Sequence, residues 1–178
     1  MMFFSLILAC TLEGGIGNNN NIPWNIKDEL LLFKKVTSHT CNDKKNVVIM
    51  GKNTWNSLPL KPLKNRINII ITSKPETINT NDNDIIAFKS FDDGLDFCKN
   101  NKEKINEVFI IGGKSIYDLC LNENKYFKMI KNIHLSIVKD KYKCDTYIDL
   151  KKITRNFKNY NINDIIFNSK FLYIVYYY

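Results

Sequence analysis

One carboxylate stands where an apolar side chain is expected. In the stretch Ile22-Pro23-Trp24-Asn25-Ile26-Lys27-Asp28-Glu29-Leu30-Leu31-Leu32-Phe33, Pro23 biases the preceding residue towards extended backbone. Asn25, with Asp28 three residues on, has the spacing of a helix cap. The helix that follows puts Glu29 and Phe33 one turn apart with Leu30 beside them. The predicted core-facing stripe is therefore Glu29, Leu30 and Phe33, continued by Leu32 and Val36. An ionised, unpaired carboxylate in that stripe costs several kcal/mol. Either Glu29 is a solvated or salt-bridged acid, as most glutamates are, or it faces a polar ligand.

Phosphate chemistry is suggested at three other places. The apolar run Asn46–Met50 stops at Gly51, and Lys52-Asn53-Thr54-Trp55-Asn56-Ser57-Leu58 opens a short helix before Pro59. Ile67–Ile71 ends in Thr72-Ser73-Lys74-Pro75, and Val108–Ile111 ends in Gly112-Gly113-Lys114-Ser115-Ile116-Tyr117. Each combines a strand end with glycine, hydroxyl or lysine, a pattern suited to a phosphate beside backbone N–H groups. None has the GxGxxG spacing of the common dinucleotide fold. Singly each is weak, but in an open α/β sheet strand ends converge on one crevice. Thr11 to Asn21, with Gly14, Gly15, Gly17 and four consecutive asparagines, reads as a loop. It joins the first strand to Pro23-Trp24, so it is either a lid over Glu29 or an ordinary surface loop.

The positioning elements follow from periodicity. Phe3–Cys10 is a strand buried on both faces, His39–Lys45 is a polar turn, and Ile85–Phe88 is a further strand. Ser90 with Asp93 marks a cap for a helix reaching Asn100, with Leu95 and Cys98 inward and Gly94 weakening it. Ile133–Val138 alternates as a strand, Asp145–Ile148 follows a turn, and Asn161–Asn168 with Phe171–Tyr178 form a closing antiparallel pair. The predicted fold is α/β: a mostly parallel central sheet with an antiparallel C-terminal edge hairpin and flanking helices.

The 178 residues suffice for one domain, 1–178, with a full core. The N-terminal run Met1–Leu12 lacks a basic leader and is too short to cross a bilayer. Five isolated cysteines (10, 41, 98, 120 and 144) form no CxxC or Cys/His cluster, which argues against structural zinc and for a reducing compartment, the cytoplasm. Lys plus Arg exceed Asp plus Glu by 26 to 18, a formal charge of +8. The lysines are scattered, so the field serves a small phosphorylated ligand as well as nucleic acid.

Taken together, Gly15-Ile16-Gly17, Ile22-Pro23-Trp24, Glu29-Leu30-Leu31-Leu32-Phe33-Lys34, Val48-Ile49-Met50-Gly51-Lys52-Asn53-Thr54-Trp55, Ile111-Gly112-Gly113-Lys114-Ser115-Ile116-Tyr117 and Asp145-Thr146 resemble dihydrofolate reductase. The blocks keep that family's order and near-family spacing from Ser5 to the final strand. The resemblance implies NADPH-dependent reduction of 7,8-dihydrofolate by a monomer that also takes antifolates and requires neither metal, membrane nor nucleic acid.

Carried over residue by residue, the resemblance makes Glu29 the acid that binds the pterin, where other members have Asp, with Ser136 hydrogen-bonded beside it. It makes Trp24, which belongs to the lid together with Ile22, a catalytic residue. Ser136 replaces the family's frequent Thr, and Ile22 replaces a Met of some members in the lid. Ile7, Leu30, Phe33, Leu58, Leu63 and Ile111 would line the substrate slot, and Arg66 would grip the glutamate tail. Ala9, Ile16, Gly17 and Asn21 would border the nicotinamide. Gly51, Lys52, Asn53, Thr54, Thr72, Ser73, Lys74, Lys114, Ser115, Ile116, Tyr117 and Thr146 would hold the rest of the cofactor, around a cis bond between Gly112 and Gly113. The chain ending at its last strand is read as carrying no fused synthase. Two rivals are a related reductase acting on a pyrimidine of riboflavin synthesis and a catalytically silent RNA binder.

Overall fold

β1 (Phe4–Thr11) runs through the middle of the fold because only Ala9 on it escapes full burial. A computed structural model describes residues 2–40 and 43–177. Met1, Cys41, Asn42 and Tyr178 lie outside the described residues, and with them parts of the N-terminal run, the cysteine set, the polar turn and the last strand.

After β1 come β2 (Gly15–Gly17), α1 (Lys27–Ser38), β3 (Lys45–Gly51), α2 (Lys52–Ser57), β4 (Arg66–Ile71), β5 (Ile85–Phe88) and α3 (Phe91–Asn100). Then follow β6 (Ile105–Ile110), α4 (Lys114–Asn122), α5 (Asn124–Phe127), β7 (Ile130–Val138), β8 (Thr146–Tyr147), α6 (Leu150–Asn156), β9 (Asn159–Tyr160), β10 (Ile166–Phe167) and β11 (Phe171–Tyr177). The main sheet has the order β10-β11-β7-β1-β6-β3-β4-β5, with β9 also on β11. All neighbours from β7 to β5 are parallel, whereas β11 runs antiparallel to β7, β9 and β10. The mostly parallel sheet with an antiparallel edge is as expected.

Strand alternation divides the core into two layers. Leu6, Leu8, Val47 and Ile49 pack with Phe91, Leu95 and Cys98 of α3 and Ile116 and Cys120 of α4. Ile7, Val48, Met50, Ile70 and Phe109 pack on the other face with Phe33 and Val36 of α1. The insertion of β6 between β1 and β3 makes the switch in strand order at which α/β sheets open a crevice.

Several expectations needed correction. The glycine-rich loop contains β2, which pairs with β8, and its asparagines form a bridge between Asn18 and Asn21 with Asn19 and Asn20 at positive φ. Asn161–Asn168 is not one strand. The Asn161 side chain accepts from the Asn163 N–H and starts a 3-10 turn at Ile162–Asp164, a side-chain bond that competes with a strand ladder. Within Asn161–Asn168 the strand that pairs with β11 is Ile166–Phe167, and the earlier Asn159–Tyr160 pairs with it as well.

α5 and α6 were not anticipated, since each is too short to show a full apolar period. α6 does carry a readable cap, with Asp149 accepting from the Lys152 N–H. The Ser90 cap and the extent of α3 are as predicted. Gly94 has a packing reason: a Cβ there would lie 3.2 Å from Ile71 Cδ1 and 3.4 Å from Ile69 Cγ2, so α3 rests directly on β4. Among the described residues no helix is long and apolar enough to cross a membrane.

Candidate active site

α1 begins one residue later than its sequence suggests. Its N-cap is Ile26, with no side-chain cap bond. Asn25 is exposed, and the Asp28 carboxylate accepts instead from the Asn168 amide at 3.0 Å. Asp28 and Glu29 in the first turn complement the helix dipole. The inward stripe is Glu29, Phe33, Val36 and Thr37. Leu30, placed in that stripe by its sequence position, is 49% exposed. A step of one residue turns the helix by roughly 100°, which rotates Leu30 off the sheet once Glu29 faces it.

Glu29 is 8% exposed and no Lys, Arg or His among the described residues pairs with it. The surface-acid reading is thereby overturned. Burial pushes its carboxyl above the ordinary glutamate range, and the hydrogen bond with Ser136 offsets only part of that rise. Ser136 sits on β7 opposite Ala9 of β1 and Tyr173 of β11, so the central strands hold the hydroxyl under the helix. Trp24, before α1, is buried against Val138, Phe171 and Tyr173 and tilts against the Tyr142 ring at 5.4 Å. Its Nε1–H has no partner among the described residues. A buried acid and an orphaned buried donor thus flank the same end of α1, which suits a polar ligand.

An apolar wall continues from that end. Ile7 and Ile111 cluster with Phe33, Leu58 and Leu63, bringing together five of the residues expected to line the substrate slot. Further along α1 lies Arg66, 3% exposed and the first residue of β4 instead of the residue before it. Its Nε donates to the Lys64 carbonyl at 3.1 Å and its Nη1 to the Thr37 hydroxyl at 2.7 Å. No carboxylate pairs with it among the described residues, so it is no surface ion pair. Burial lowers its pKa, yet a guanidinium keeps its charge in proteins.

Two of the three strand ends meet directly. The Gly51 N–H donates to the Gly112 carbonyl at 2.8 Å, which joins the turn after β3 to the turn after β6. The Gly112-Gly113 peptide is cis and Gly112 has φ +106°. A Cβ on Gly112 would lie 2.9 Å from the Tyr117 ring, and one on Gly113 3.1 Å from Thr54 Oγ1, so the turn must be bare. Tyr117 points inward: its hydroxyl donates to the Ile7 carbonyl at 2.8 Å. It pins α4 to β1, so its hydroxyl faces the core and not the outer surface of the turn. Ile116 is also buried.

Lys52 donates to Thr77 Oγ1 at 2.9 Å, which places its ammonium beside the turn after β4. Asn53, Ser73, Lys74 and Ser115 are exposed and Thr72 is buried. Lys114 is committed to Asp118 at 2.6 Å. The loop with Ile16, Gly17 and Asn21 is tied down at its far side. Asp145 accepts from the Asn19 N–H at 2.7 Å and from the Thr146 hydroxyl at 2.8 Å, and Thr146 pairs with Gly17. The Asn19 N–H first, then Thr146, hold the Asp145 carboxyl below the usual range.

Sequence reasoning passed over Thr37, Asn46 and Asn68, which support Arg66. The signal was present, since Asn46 and Asn68 are lone amides in apolar strands and both are fully buried.

Residues 3–176 match the family described as "Dihydrofolate reductase". The chain is 38% identical to a dihydrofolate reductase of Ureaplasma parvum, covering 89% of this chain and 86% of that protein. It is 37% identical to one from Pneumocystis carinii, covering 83% and 74%. A bifunctional dihydrofolate reductase-thymidylate synthase of Paramecium tetraurelia is 35% identical over 82% of this chain, which spans only 28% of that longer protein. Among solved structures, Schistosoma mansoni dihydrofolate reductase superimposes with a TM-score of 0.78 at 29% identity, covering 99% of this chain and 98% of the other.

Proposed function

Since the chain belongs to the dihydrofolate reductase family, we propose that it reduces 7,8-dihydrofolate to 5,6,7,8-tetrahydrofolate with NADPH. The observation that carries the reading is the buried, cation-free carboxylate of Glu29 on Ser136 at one end of an apolar slot. Folate chemistry needs those features together: an acceptor for the N–H edge of the pterin, and apolar walls for its ring and the aminobenzoyl group. Arg66 supplies a cation for the tail carboxylate.

Glu29 binds and orients the pterin by accepting from its amide and amino edge, and its charge polarises the ring towards a proton at N5. Water delivers that proton, because the carboxylate is occupied as the anchor. Ser136 holds the carboxylate in place, and Trp24 offers its free Nε1–H to the same polar corner. Ile7, Phe33 and Ile111 exclude water from the ring faces.

The residues fit a phosphorylated nicotinamide cofactor, which when bound supplies the hydride for C6. The bare Gly112-Gly113 turn allows close backbone approach, and it opens α4, whose N-terminus favours phosphate. Lys52, Ser73 and Lys74 lie at or beside the turn after β4 and favour a 2′-phosphate, hence NADPH over NADH. Lys114 contributes less than its position suggested, given its pairing with Asp118. Free, buried Cys10, Cys98 and Cys120 support a reducing location, the cytoplasm.

The test is loss of NADPH absorbance on adding dihydrofolate, with NADH as the control. Turnover that needs dihydrofolate and is faster with NADPH supports the reading. Absence of dihydrofolate-dependent oxidation with either cofactor overturns it.

A further inference from the structure

Arg66 is held from two sides, and each side is anchored by its own buried asparagine. On one side, the Asn68 side chain closes the bend 63–66 onto β4. Its Oδ1 accepts from the Leu63 N–H at 2.9 Å, and its Nδ2 donates to the Leu63 carbonyl at 3.1 Å and the Arg66 carbonyl at 2.8 Å. That bend carries the Lys64 carbonyl that receives Arg66 Nε, and Asn65 within it takes φ +62°. On the other side, Asn46 of β3 pairs in register with Arg66. Its Nδ2 donates to the carbonyls of Thr37 at 2.9 Å and His39 at 2.8 Å, while its Oδ1 accepts from Asn106 Nδ2 and the Glu107 N–H. It thereby fixes the end of α1, whose Thr37 hydroxyl receives Arg66 Nη1.

We propose that Asn68 and Asn46 are positioning residues that orient the Arg66 guanidinium for a carboxylate-bearing substrate tail. This rests on the reading of Arg66 as the tail clamp. One backbone bend (63–66) and the C-terminal end of α1 are each locked by an amide. Each presents one acceptor, the Lys64 carbonyl and the Thr37 hydroxyl, and the two acceptors fix the guanidinium plane. Of five N–H donors two are spent on protein, and five less two leaves three, all on Nη1 and Nη2. That edge matches the two oxygens of a carboxylate. A guanidinium free to swing would lose bidentate geometry without disturbing the ring end of the slot, so the asparagines act on tail affinity and leave the chemical step alone.

The experiment uses the full chain carrying Asn68→Ser. Three readouts are taken: kcat and KM for dihydrofolate, binding of methotrexate against trimethoprim, and hydrogen exchange of the Arg66 Nε–H by NMR without ligand. The expected result is a KM raised by roughly tenfold with kcat held within about twofold, since misplacing a clamp costs binding geometry first. Methotrexate, which has a glutamate tail, weakens in step, trimethoprim, which has none, does not, and the Nε–H exchanges faster. Equal weakening of both inhibitors, or unchanged exchange, shows a purely structural asparagine and overturns the proposal.

Arg66→Lys separates the two levels. If it fails to discriminate the inhibitors while Asn68→Ser still accelerates Nε–H exchange, the tail reading fails and orientation of the guanidinium stands. If Asn68→Ser does not fold, Thr37→Val, which removes the opposite acceptor at nearly constant shape, must show the same inhibitor discrimination; equal weakening there overturns the proposal.

Discussion

Arg66 Nη1 donates to the Thr37 hydroxyl at 2.7 Å, and that hydroxyl donates in turn to the carbonyl of Phe33, also at 2.7 Å, one turn back on α1. The cation is thus attached to the helix that carries Glu29. Eight residues separate Glu29 from Thr37, a rise of about 12 Å at 1.5 Å per residue. One rigid helix therefore sets the distance between the carboxylate at one end of the slot and the guanidinium at the other.

Replacing Glu29 by glutamine should leave the fold intact and lower dihydrofolate turnover at neutral pH by roughly a hundredfold or more, as removal of one aimed electrostatic partner does elsewhere. Steady-state kinetics with NADPH checks this, and wild-type turnover in the variant contradicts the anchor role.

The same substitution has a pH signature. The folded-state pKa of Glu29 is raised, so the stability from its neutral form is fully present below the unfolded value of 4.5. It is lost as pH rises through the folded value. Glu29→Gln should therefore gain thermal stability over wild type as pH climbs above 4.5, with the two converging in acid. A variant destabilised at neutral pH and recovering in acid has the opposite sign.

Arg66→Lys should weaken methotrexate far more than trimethoprim. Leaving a carboxylate without its bidentate partner costs about 2–5 kcal/mol in buried interfaces, whereas a surface pair is worth about 0–1 kcal/mol. Titration of both inhibitors decides between these magnitudes, and equal losses would assign Arg66 to the fold alone.

Lys52→Ala should raise the KM for NADPH and hardly change that for NADH. A charge-assisted bond contributes about 1.5–3 kcal/mol, equivalent to roughly a tenfold or larger change in KM. Parallel losses with both cofactors would show that Lys52 contacts something other than the 2′-phosphate.

Thiol labelling should distinguish the described cysteines. Burial pushes the Cys10 and Cys98 thiols up to about 12 and raises Cys120 as well, and the thiolate is the reactive form. Cys144 is only half-buried. A thiol-reactive dye on the native chain should therefore modify Cys144 well before those three, read by peptide mass spectrometry. Cys10 labelling first would contradict the burial of β1.

What the sequence determined by itself was local. Runs such as Val47-Val48-Ile49-Met50 and Ile67-Asn68-Ile69-Ile70-Ile71 are short, rich in β-branched residues and apolar on both faces, the pattern of central strands. The Gly112-Gly113 pair marked a turn where the main chain can come close to a ligand. Glu29 was legible as an anomaly because charge among apolar neighbours demands a partner whatever the fold.

Tertiary structure decided the rest, because it depends on distance between remote segments. Glu29 and Leu30 were both assigned inward from helical spacing alone, but the rotation of α1 is decided by its packing on the sheet, which buries Glu29 and leaves Leu30 exposed. β2 was hidden because a three-residue strand has no period of its own and exists through pairing with β8. The commitment of Lys114 to Asp118 is one of several contacts open to a flexible side chain, so spacing could not select it. Asn46 and Asn68 stand out in the sequence only as amides among apolar residues. The packed fold shows Asn46 holding the end of α1 and Asn68 holding the bend 63–66, with each of those segments offering an acceptor to one guanidinium.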